Sequence, residues 1–72
     1  MNSQMIPVTS SKIKAVYFDA QAMILKIEFL RDGLFEYYGV PERIFNELLE
    51  ADSPGLFFKR FIKDKFRYVK VG

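Results

Sequence analysis

Residues 23–39, MILKIEFLRDGLFEYYG, alternate apolar with polar side chains on both sides of one turn signal. Successive side chains of a strand leave on opposite faces, so a period of two marks a strand with one dry and one wet side. In the first arm Leu25, Ile27 and Phe29 share a face, with Lys26 and Glu28 on the other. In the second arm Phe35 and Tyr37 lie opposite Leu34, Glu36 and Tyr38. Between them Arg31–Asp32–Gly33 supplies the hairpin, because glycine accepts the positive φ of a tight turn.

A further strand precedes this pair. KIKAVYFD, residues 12–19, is β-branched and aromatic, with Ile13, Val16 and Phe18 as its dry positions. That spacing breaks a strict period of two, and a bulge between Ile13 and Val16 reconciles it. DAQA then turns the chain. The expectation is a three-stranded antiparallel meander with one face to be covered.

VPERIFNELLEAD, from residue 40 onward, is the expected cover. Pro41 suits the first turn of a helix, where its missing N–H costs nothing. At about 100° per residue, Ile44, Phe45, Leu48, Leu49 and Ala51 fall on one arc. Ser53 and Pro54 start a second helix as N-cap and first helical residue. In it Phe57, Phe58, Phe61 and Ile62 form one stripe, read as core, opposite Lys59, Arg60, Lys63 and Asp64. This helix is placed to end near Asp64, leaving FRYVKV as a short C-terminal extension. The fold class expected is therefore α+β, a three-stranded meander followed by two helices packed on one face. Residues 1–7 read as a flexible N-terminus and residues 8–72 as a single domain.

In 72 residues without cysteine or histidine, disulfides and the usual zinc sites are excluded. Eight Phe and four Tyr must carry the stabilisation instead. The same two absences remove the common general bases and thiol nucleophiles. Ser10–Ser11–Lys12 is no serine–lysine pair, since neighbours on a strand diverge. With no phosphate loop, dinucleotide fingerprint or paired catalytic carboxylates, the chain reads as a non-enzyme without cofactor or metal. It shows no membrane span and no secretory leader, so a cytoplasmic location is the expectation.

The charge is unevenly placed. Residues 1–58 hold five Lys or Arg against eight Asp or Glu, whereas residues 59–72 hold six against one. Lys59, Arg60, Lys63, Lys65, Arg67 and Lys70 thus form a basic end on an acidic body, a pattern that suits an anionic partner. Such residues grip phosphates without reading sequence. Tyr38, on the open face of the sheet, is a candidate stacking residue for a base. These seven residues make up the expected nucleic-acid site. The rival expectation is a protein-interaction module, docking a partner or a second copy on the sheet face or an edge strand.

The chain also resembles a known family, on Ser10–Ser11–x–Ile13, an aromatic–x–Tyr followed by Gly39–Val40–Pro41, Ala51–x–Ser53–x–Gly55, and Ile62–Lys63–Asp64–x–Phe66. Together these resemble the KTSC domain, over roughly Val8 to Val71. That short module is found alone in bacterial and phage proteins and at the C-terminus of some lysyl-tRNA synthetases. The family's Tyr–x–Tyr falls on Phe35–Glu36–Tyr37, so a packing role is expected at position 35. The resemblance implies an RNA-binding accessory module, in agreement with the charge pattern.

Overall fold

The computed structural model describes residues 5–72. Its elements run β1 (Ile6–Pro7), β2 (Ile13–Asp19), β3 (Ile24–Phe29), β4 (Gly33–Tyr38), α1 (Glu42–Glu50), α2 (Pro54–Phe61) and β5 (Arg67–Lys70). The strands form one antiparallel sheet in the order β1-β2-β3-β4-β5. The α+β class holds, but the expected three-stranded meander is corrected to five strands. The supposed C-terminal extension is β5, which follows both helices in sequence and returns to pair with β4. Ile6 and Pro7 pair with Val16 and Ala15 at the other edge, and residues 1–4 lie outside the described residues.

The three central strands follow from the patterning. A register shift falls between Ile13 and Ala15, as the broken period of β2 required. It leaves Ile13 and Val16 fully buried on the helix side. A three-residue loop joins Phe29 to its partner Gly33, whose φ of 96° only glycine takes without strain. At the β2–β3 turn, Asp19 Oδ1 accepts from the Ala22 N–H at 3.2 Å. Met23 is left-handed there at φ 57°, and its carbonyl accepts from the Val40 N–H at 3.0 Å. That bond pins the chain where it leaves β4 for α1.

One face of the sheet carries Ile13, Val16, Leu25, Ile27, Phe29 and Tyr37, and both helices pack on it through Ile44, Leu48, Phe58 and Ile62. Phe18 stacks on Phe45 of α1 with centroids 5.2 Å apart. Ser53 caps α2, its Oγ accepting from the Leu56 N–H at 3.3 Å. The stripe of α2 is narrower than its sequence suggested. Phe58 and Ile62 are buried, but Phe61 is 50% exposed and rests against Phe57 at 4.8 Å. A helix of two turns presents one narrow line to a sheet, and Phe61 falls beyond it. α2 also ends at Phe61 rather than near Asp64. There the Ile62 and Lys63 N–H groups both donate to the Phe58 carbonyl, at 3.0 and 2.9 Å, and the chain swings back toward β4. No helix among the described residues is long and apolar enough to cross a membrane.

Candidate nucleic-acid interface

The α2 helix has one side on the core and one in water. Phe58 makes edge-to-face contacts with Phe29 (5.1 Å, 67°) and Tyr37 (5.6 Å, 77°). Lys59 lies in the last turn of α2 and Lys63 in the turn just beyond its end. They stand over a cleft of about 330 Å³ between α2 and the end of the sheet. Its floor is aromatic: Phe29, Phe35, Tyr37, Phe58 and Tyr68. Its rim is charged: Lys12, Lys59, Lys63, Asp32 and Asp64.

Strand register builds this floor. The β4–β5 ladder sets Tyr37 opposite Tyr68 and Phe35 opposite Lys70, and cross-strand partners share a face. Tyr68 therefore stands beside Tyr37 and Phe35, with centroids 5.4 and 5.9 Å away, while remaining 54% exposed. Ser10 fixes the far rim by accepting from the Lys12 and Ile13 N–H groups at 3.0 and 3.1 Å. At Gly55, α2 comes within van der Waals reach of that rim. A Cβ at that position would lie 3.4 Å from Ser10 Oγ and 3.5 Å from Lys12 Cβ.

Among the described residues, ion pairs join Lys14 to Glu28, Lys26 to Glu36 and Arg43 to Glu47. None involves the five charged side chains of the cleft. Two of those pairs lie on the open sheet face, where Lys26 also sits 5.9 Å over the Tyr17 ring. The open face has largely neutralised itself, and the cleft has not.

The seven sequence-predicted residues do not share one surface. Lys59 and Lys63 line the cleft, and Lys70 pairs with Phe35 on the same side of the sheet. Arg60 is on α2 but outside the cleft lining, and exposed Lys65 lies in the turn after it. Arg67 pairs with Tyr38 on the opposite, open face. There the Tyr38 hydroxyl donates to Glu36 Oε1 at 2.8 Å, a bond that raises its pKa. Sequence reading passed over Lys12, Asp32, Asp64, Tyr37 and Tyr68 as site residues. The usable signal was in the family motifs, since Phe35, Tyr37, Lys63 and Asp64 all line the cleft.

Burial, with the Tyr68 and Asp64 charges beside it, pushes the Tyr37 hydroxyl from its ordinary 10.0 up to about 12. A folded pKa above the unfolded one means that the protonated group favours the fold. That contribution is complete below pH 10 and is lost as pH climbs toward about 12. Urea titrations across this window should show stability falling, and falling less in Tyr37→Phe. Parallel curves for the two proteins would refute the assignment.

A family model described as the KTSC domain matches residues 9–66. A protein of Tsukamurella paurometabola is 40% identical over 67 residues, covering 93% of this chain and all of its own. The lysine–tRNA ligase of a Nostoc species is 38% identical over 61 residues, which span 85% of this chain but 11% of the ligase. The crystal structure of a KTSC domain protein from Yersinia pestis superposes with a TM-score of 0.95 at 39% identity, over 99% of this chain and 100% of that one.

Proposed function

The chain belongs to the KTSC domain family, and from that premise we propose that it is a small non-catalytic module that binds single-stranded RNA in the cleft beside α2. The observation that carries this reading is an aromatic floor under three lysines that form no ion pair among the described residues. Cations hold phosphates and exposed rings stack bases, which is the chemistry single strands need. The presence of a similar segment in lysine–tRNA ligases accords with an RNA ligand. Lys59, Lys63 and Lys12 are the phosphate contacts of this reading, with Lys70 beside them and Tyr68 as the stacking ring. Arg60, Lys65, Arg67 and Tyr38 lie outside the cleft lining and are not among its contacts in this reading. Docking of a protein on the open sheet face is the weaker reading, because four charged side chains there, Lys14 with Glu28 and Lys26 with Glu36, are already paired with one another.

Anisotropy titrations of a labelled single-stranded RNA at two salt concentrations test this. Wild type should lose affinity with salt at a log–log slope near −2, for about three phosphates at roughly −0.7 each. The Lys59→Glu/Lys63→Glu variant should bind about 100-fold more weakly, with a shallower slope. Both side chains are exposed, so the fold should survive, which circular dichroism will verify. Equal binding by the two proteins, or none by either, would end the proposal.

A further inference from the structure

Resting on the RNA-binding reading, we infer that the cleft admits one unpaired nucleotide and selects guanine through Asp64 and Asp32. At about 330 Å³, the cleft is near the lower end of the roughly 300–1,000 Å³ that single small ligands fill. It suits one base with its sugar, not a length of strand. Tyr68, half exposed on the floor, offers a ring face for that base.

The two carboxylates decide which base. A site that gripped only phosphate would be weakened by acidic groups among its lysines. Here Asp32 and Asp64 line the same cleft as Lys12, Lys59 and Lys63, and none of the five forms an ion pair among the described residues. Such a rim favours a ligand that brings donors as well as negative charge. A carboxylate accepts two parallel hydrogen bonds side by side. Only guanine presents two adjacent donors on its Watson–Crick edge, N1–H and the N2 amine. Adenine and cytosine place an acceptor nitrogen beside their amine, and uracil flanks N3–H with two carbonyls. Each of those would set a lone pair against the carboxylate. Guanine O6, next to N1, faces donors: the lysine ammonium groups and the Tyr37 hydroxyl on the floor. Asp64 and Tyr37 line the same cleft.

Four uridine octamers differing only at one central position (G, A, C or U) provide the test, titrated at fixed low salt against the full chain. The G octamer should bind about tenfold more tightly than the other three. Asp64→Asn or Asp32→Asn should bring G to the level of the others without weakening the all-uridine octamer. Both residues are exposed, and circular dichroism will verify each fold. Equal, salt-sensitive binding of all four by wild type would overturn the guanine inference and leave RNA binding standing. Survival of the G preference in both variants would overturn it too. No binding of any octamer by the folded wild type would overturn both readings.

Discussion

Phe58→Ala should cost about 3–5 kcal/mol of folding free energy, as large aromatic truncations in packed cores do. The ring is 5% exposed. It meets Phe29 and Tyr37 edge-on, contacts that add about 0.5–1.5 kcal/mol each to simple burial. A chain of 72 residues has roughly 4–11 kcal/mol of stability in total, so this variant should approach the limit of folding. Urea denaturation measures it directly. Phe61→Ala is the matched control: three residues on in the same helix, its ring is half exposed, and it should cost under about 1 kcal/mol. Similar losses for both would contradict the packing described for α2.

Gly33→Val should be the next most damaging change, acting through the backbone rather than through lost area. A non-glycine residue held at φ 96° costs about 1–3 kcal/mol in strain alone. A Cβ there would also fall within 2.2 Å of the Gly72 carbonyl oxygen, a contact no rotamer relieves. Yet that carbonyl accepts from the Leu34 N–H, while the Val71 and Gly72 N–H groups donate to the Leu34 carbonyl. Relief therefore requires the end of the chain to peel away from β4. Amide exchange should show Val71 and Gly72 losing protection first, together with a fall in the urea midpoint. Unchanged protection at those two amides would be incompatible with this geometry.

The sequence was readable where contacts are local and each strand has one dry face. β2, its bulge, β3 and β4 met both conditions. The helix starts were legible too: Ser53 caps α2 as expected, although Pro41, expected in the first turn, is the extended residue just before α1. β5 met neither. All four of its residues are exposed, which erases the alternation. Its partner β4 lies on the far side of two helices in sequence, so no turn signal announces the pairing. The candidate site inherited that blindness. Lys59 and Lys63 were legible as cations four residues apart, but the floor exists only once Tyr68 is brought beside Tyr37. The same register sends Arg67 and Lys70 to opposite faces, and a basic run read as one patch becomes two. Asp32 and Asp64 looked like ordinary turn and helix-end residues until the fold carried them to one rim.

The outer border of β5 leaves backbone groups unpaired beside the exposed side chains of Tyr68 and Val69, a combination that invites a neighbouring chain to extend the sheet. Two of its four residues, Arg67 and Lys70, are cationic. A second copy aligned there would crowd four positive charges into about 13 Å of strand. Whatever else these two residues contact, their repulsion opposes the stacking of molecule on molecule that leads toward fibres.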